Sequence, residues 1–123
     1  MICADTSVWV AFLNDQDHLQ VEKFKQALSD NVLGMIPAVL SELISFPKIE
    51  RGDIDLISKL PMIELKIGYW QRVGNSRREI LKNGLKARLA DALIAQTCID
   101  AKISLITIDD DFRHYTGLGL VLL

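Results

Sequence analysis

The sequence predicts a three-layer α/β/α sandwich with a mainly parallel central sheet. The apolar runs 1–4, 32–36 and 104–108 have the length of buried strands, not of helices. Stretches of helical periodicity separate them, and strands that alternate with helices build a parallel sheet. Hydrophobic residues make up 50% of the chain. That is enough to cover a sheet on both faces, or to leave an apolar patch for assembly. A length of 123 residues fits one domain, 1–123, with a core that needs no staples.

The opening residues 1–4 form the first strand. Asp5-Thr6-Ser7 ends it and offers capping oxygens to a short helix over 8–13. Asn14-Asp15-Gln16-Asp17 is a polar break. Over 18–28, Leu19, Val21, Phe24, Ala27 and Leu28 recur at mostly helical spacing. Ser29-Asp30-Asn31 turns into the strand at 32–36. Pro37 opens the next helix, where its missing N–H costs nothing, and Pro47 stops it after Phe46. Residues 48–52 form a basic, glycine-ended loop, and Asp53 caps a short helix to Leu60, closed by Pro61. A short strand at 62–67 precedes a helix at 69–82 that Asn83-Gly84 halts. A nearly all-apolar helix follows at 88–101, then the strand 104–108, a helical turn at 110–115 and a last strand at 118–123. No repeat, low-complexity stretch or linker interrupts this order.

The apolar opening is broken by Asp5 and lacks a basic leader, so no signal peptide is expected. No apolar run reaches the ~20 residues that cross a bilayer. Cys3 and Cys98, in apolar strand and helix contexts, read as buried thiols of a reducing compartment, and a cytoplasmic protein is expected. The net charge of −2 argues mildly against a nucleic-acid partner. A metal site, however, concentrates acid locally. Arg77, Arg78, Lys82, Lys86 and Arg88 stand against the single acid Glu79 in their stretch. They could hold a phosphodiester backbone, or form an ordinary solvated helix face.

Asp5, Glu42, Asp91 and Asp109 are the candidate chemistry. Asp5 and Asp109 each follow an apolar strand. Glu42 and Asp91 fall near the starts of helical stretches, and in a right-handed β-α-β unit the helix begins at the edge where the preceding strand ends. All of them could therefore meet at the carboxyl edge of the sheet, where such folds bind ligands. Carboxylates gathered there repel one another unless a cation lies between them, and a divalent ion with oxygen ligands answers that need.

Each acid also has a plainer account. Asp5 could be only a helix cap, and Asp109 an exposed turn that caps the next short helix. At ~100° per residue Glu42 falls about 40° outside the arc of Val39, Leu43 and Phe46, on a solvated flank or a cleft. Asp91 sits among apolar neighbours, either paired or complementing the helix dipole. In Asp109-Asp110-Asp111, alternation from Thr107 puts Asp109 on the site side and turns Asp110 away. Asp111 becomes auxiliary or a cap, and Phe112 a core anchor. His18 and His114 are isolated, no Cys/His spacing suits zinc, and neither a phosphate-cradling glycine loop nor a Gly-x-Ser-x-Gly elbow occurs.

Met1-Ile2-Cys3-Ala4-Asp5-Thr6-Ser7, Ser41-Glu42-Leu43, Ala90-Asp91-Ala92-Leu93-Ile94-Ala95 and Thr107-Ile108-Asp109-Asp110-Asp111-Phe112 resemble, in order, the motifs of the PIN domain. The compact length resembles the VapC-type toxins of toxin–antitoxin pairs. The resemblance covers essentially the whole chain. It implies a metal-dependent endoribonuclease that uses Mg²⁺ or Mn²⁺, one or two ions per site, and leaves 5′-phosphate and 3′-hydroxyl ends. It also implies a homodimer held inactive by a cognate antitoxin. By matching motif, the catalytic and metal roles fall to Asp5, Glu42, Asp91 and Asp109, with Thr6, Ser7 and Thr107 supporting. Residues 48–86 match no family motif, and RNA specificity is expected there.

The rivals are a non-catalytic module of the same fold that binds RNA or protein, a phospho-accepting receiver, and a haloacid-dehalogenase-type phosphatase. The receiver lacks an acceptor Asp at a central strand end and a Lys after 104–108. The phosphatase lacks an early Asp-x-Asp.

Overall fold

The structure is a computed structural model that describes residues 1–123. Its sheet has three parallel strands, β1 (Ile2–Ala4), β2 (Leu33–Gly34) and β3 (Ser104–Ile106), in the order β2-β1-β3. Ile2 lies beside Leu33 on one side and Ser104 on the other, and Cys3 beside Gly34 and Leu105. The first crossover, from β1 to β2, carries α1 (Thr6–Leu13) and α2 (Leu19–Ser29). The second carries α3 (Pro37–Ile44), α4 (Arg51–Ser58), α5 (Tyr69–Lys82) and α6 (Leu89–Ala101), and it returns past β1 to β3. The two crossovers run in opposite directions across the sheet. Right-handed connections therefore send their helices to opposite faces. Accordingly α2 packs on β2 and β3, α6 packs on β3, and α5 lies against α6. The direction of winding reverses between β1 and β3, and ligands of open α/β sheets bind outside the strand ends at such a switch point.

Two predicted strands shrink to single bridges. In place of a strand at 62–67, only Met62 pairs, with Met35, through N–H···O bonds of 2.7 and 2.9 Å. Gly68, at φ +84°, then turns the chain into α5. In place of 118–123, only Leu122 pairs, with Leu105. The start of that stretch instead closes a 3₁₀ segment, Asp110–Leu118, with Gly119 left-handed at φ +110°. Helix boundaries also move. The helix at 37–46 stops at Ile44. Glu50 occupies the cap position of α4, so Asp53 lies inside its first turn, and Arg51 and Gly52 belong to the helix, not to a loop. The predicted α5 boundaries hold at both ends, where Asn83 takes the C-cap position.

The core is apolar and continuous. Trp9 of α1 meets Phe24 of α2 edge-on at 4.7 Å between ring centroids, and Phe112 and Tyr115 of the 3₁₀ segment are buried behind the sheet edge. The buried polar residues of α6 are paired: Thr97 Oγ1 donates to Leu93 O, and Gln96 accepts from Ser76 Oγ at 2.6 Å and donates to Asp100. Arg72 of α5 grips Asp100 with two N–H donors at 3.0 and 2.7 Å. These bonds fix α6, and with it Asp91, against α5. No helix of the chain is long and apolar enough to cross a membrane.

Candidate metal centre

Asp5 follows β1 directly and is the N-cap of α1: its Oδ1 accepts from Val8 N at 3.2 Å and from Ser7 Oγ at 2.7 Å. Its Oδ2 accepts from Thr107 Oγ1 at 2.8 Å. Thr107 in turn accepts from Asp109 N at 2.9 Å, so one hydroxyl ties the acid after β1 to the acid after β3. Ser7 Oγ accepts from Ile108 N at 3.2 Å and closes the same seam. Asp109 caps the 3₁₀ segment, its Oδ1 accepting from Asp111 N at 2.9 Å. For Asp5 and Asp109 the cap and the site are thus one placement, because a cap at a strand-to-helix junction lies on the carboxyl edge.

Asp91 stands in the first turn of α6. Carboxylate oxygens of Asp91, Asp109 and Asp111 all lie within 4.8 Å of one another, a spacing that can hold a metal ion. The sequence leaves Asp111 either auxiliary or a cap, and of these two the structure excludes the cap. The cap is Asp109, and Asp111 joins the cluster. β3 ends at Ile106, so the strand alternation that put Asp109 on the site side does not persist to it. A hydroxyl turn at Thr107 and a 3₁₀ turn after it set the directions instead. Asp110 points away, as expected, with 86% of its side chain exposed and only Arg113 near it, at 3.7 Å.

Glu42 lies outside this close group. It sits in the last turn of α3, not near a helix start, because that helix is only eight residues long. Thr6 Oγ1 donates to its Oε1 at 2.6 Å, which brings Glu42 to the first turn of α1 and to the edge of the site.

Electrostatics mark the same place. Burial raises the Asp5 carboxyl above the ordinary range; bonds from Ser7, Thr107 and Val8 oppose this, and the charge of Asp109 adds to it. Asp91 is pushed up to about 6, first by burial and then by Asp109, with smaller contributions from Asp111 and Asp5 against the relief of Arg88. Carboxylates that raise one another in this way are poised for a cation.

The basic stretch divides. Lys86 Nζ lies 3.7 Å from Asp111 Oδ2, and Arg88 is the cation acting on Asp91. Arg77 is committed to structure, its Nε donating to Ala87 O at 2.8 Å. Arg78 and Lys82 remain on the exposed side of α5, Arg78 touching only Asn75. His18 caps α2, accepting from Gln20 N, and His114 lies against Lys86 O.

Comparison with known proteins places the fold. No curated protein sequence matches the chain. A chain in the crystal structure of VapBC2 from Rickettsia felis bound to a DNA fragment from their promoter superposes with a TM-score of 0.75 at 21% identity, covering 100% of this chain and 98% of that one. DNA-bound VapBC from Salmonella typhimurium gives 0.71 at 19% identity, over 100% and 98%. VapBC-5 from Mycobacterium tuberculosis, a member of the VapBC family of toxin–antitoxin systems, gives 0.69 at 15%, over 99% and 98%. The PIN domain family model matches residues 2–118, and the chain belongs to the PIN domain family.

Proposed function

We propose that this protein is a metal-dependent endoribonuclease and the toxin of a VapBC-type toxin–antitoxin pair. The observation that carries this is the approach of Asp91, Asp109 and Asp111 within 4.8 Å, beside the buried Asp5 at the switch point of the sheet. The donors are all carboxylate oxygens, which suit a hard ion such as Mg²⁺ or Mn²⁺. Asp91, Asp109 and Asp111 would hold it, with Asp5 and Glu42 completing the acidic set. A bound ion would supply Lewis acidity toward a water and toward the phosphodiester oxygens. The protein's own part is to position. Thr107 and Ser7 hold Asp5, Thr6 holds Glu42, and the N–H of Asp111 fixes Asp109.

Lys86 and Arg88 border the acids, which supports a role in meeting RNA phosphates, and the exposed Arg78 and Lys82 of α5 would extend that contact. The solved complexes of similar fold pair a toxin with an antitoxin, which supports an antitoxin partner here. An Arg or Lys of that partner would pair with the acids and exclude metal. Apolar surface at Ile67, Trp70 and Leu89 supports assembly of the toxin as a homodimer.

The test is cleavage of RNA by the purified chain. Activity with Mg²⁺ or Mn²⁺ that disappears in EDTA is expected; metal binding without any cleavage of RNA would leave only a binding module of this fold. A second expectation concerns Arg78 and Lys82. Their double alanine variant should bind single-stranded RNA with a shallower salt dependence, by about 1.4 in the slope of log K against log salt, from ~0.7 per phosphate contact. Equal slopes would return these residues to a solvated helix face.

A further inference from the structure

Tyr115 is 1% exposed, and its hydroxyl has no hydrogen-bond partner in the protein. A buried donor without an acceptor costs on the order of 1–3 kcal/mol, so its surroundings call for an explanation. The indole N–H of Trp9 is likewise unpartnered, but its ring packs edge-on against Phe12 and Phe24 in the apolar core. Tyr115 lies in a different setting. The 3₁₀ segment that carries it packs between α5 and α6, one turn beyond Asp111. The carboxylate of Asp111 lies within 4.8 Å of that of Asp91, which brings Asp91 to the side of the segment next to Tyr115; burial, and then the charges of Asp91, Arg77 and Asp111, act on the phenol. Arg77 is already bonded to Ala87 O and is itself a donor, so it cannot serve as acceptor. Asp91 makes no hydrogen bond through its carboxylate to any protein donor, unlike Asp5, Glu42 and Asp109, which are held by Thr107, Thr6 and the N–H of Asp111.

We propose that Tyr115 is the positioning residue for Asp91, its hydroxyl donating through one buried water to the Asp91 carboxylate. Buried polar groups left without a protein partner are where structural water is found, each such water taking about three hydrogen bonds. Tyr115 then does for Asp91 what Thr107 does for Asp5: it fixes the direction in which a carboxylate oxygen faces the cluster. Its bearing on metal rests on the acidic cluster being the metal centre proposed above; its link to Asp91 does not.

Tyr115→Phe deletes a single oxygen and keeps the packed ring. In EDTA the substitution should lower Tm by a few degrees when Asp91 is present, and should leave Tm unchanged or raised in an Asp91→Ala background. Equal shifts in the two backgrounds would show no coupling and would overturn the proposal. Calorimetry with Mn²⁺ should show roughly tenfold weaker binding by Tyr115→Phe than by wild type, the scale of losing a residue that orients a ligand. Unchanged Mn²⁺ affinity would also overturn it. A wild-type protein that binds no Mn²⁺ would sink the metal centre, and the EDTA comparison would still decide the link between Tyr115 and Asp91.

Discussion

Asp91→Asn is expected to abolish RNA cleavage and, without metal, to make the protein more stable at neutral pH. Both effects have one cause. Asp91 is half-buried among acids, and its folded pKa of about 6 lies above the unfolded value of about 3.9. A carboxyl raised on folding is protonated more readily in the native state. Its contribution is fully present below about pH 4 and is lost as pH rises through about 6. At pH 7 to 8 the metal-free wild type therefore keeps an unfavourable charge that Asn does not carry. Thermal melts in EDTA should show Asp91→Asn melting above wild type near pH 7.5, with the gap shrinking through pH 6 and gone near pH 4. Adding Mn²⁺ should raise the wild-type Tm and move the variant far less, because ligand binding stabilises only the protein that binds it. A variant that cleaves RNA at the wild-type rate, free of contaminating nuclease, would remove Asp91 from the site. One that melts below wild type at pH 7.5 would remove the repulsion account.

The opposition between stability and function at Asp91 also explains what could be read from the sequence. A charged residue inside the apolar run Ala90–Ala95 contradicts the local pattern, and such conflicts gather at functional positions. Asp5 and Asp109 were legible because each follows a short apolar strand, and the parallel order brings both strand ends to one edge. Strand existence was legible from apolar length, but strand extent was not. Residues 62–67 and 118–123 have strand-like composition, yet a strand needs a neighbour along its whole length, and here each finds one pairing residue. Glu42 reaches the site through a hydroxyl 36 positions away in the sequence, a contact that no local pattern carries. Tyr115 gave no signal at all: an aromatic residue at core spacing reads as packing, and only its unpaired hydroxyl sets it apart.

The adjacent acids Asp109, Asp110 and Asp111 should separate sharply on alanine substitution. Asp109→Ala is expected to be the most damaging. It removes a carboxylate from the close cluster and also the oxygen that caps the 3₁₀ segment through Asp111 N. Loss of a cap of this kind costs about 0.5–2 kcal/mol, so metal affinity and stability should fall together. The same change removes the charge that acts most strongly on Asp91, whose pKa should move back down toward the ordinary range. Asp111→Ala removes a cluster carboxylate but no cap, and it frees Lys86, which lies 3.7 Å away. Metal affinity should drop while Tm in EDTA holds or rises, because a repelling charge is gone. Asp110→Ala should do almost nothing, since its side chain faces solvent and its single ion pair, to Arg113, is exposed on both sides. Calorimetry with Mn²⁺ should therefore rank the losses Asp109, then Asp111, then Asp110. Melts in EDTA should single out Asp109→Ala as the one clearly destabilised variant. If Asp110→Ala alone abolished metal binding, the turn after β3 would be out of register by one residue, and with it the bond from Thr107 to Asp5 that ties the two strand ends together.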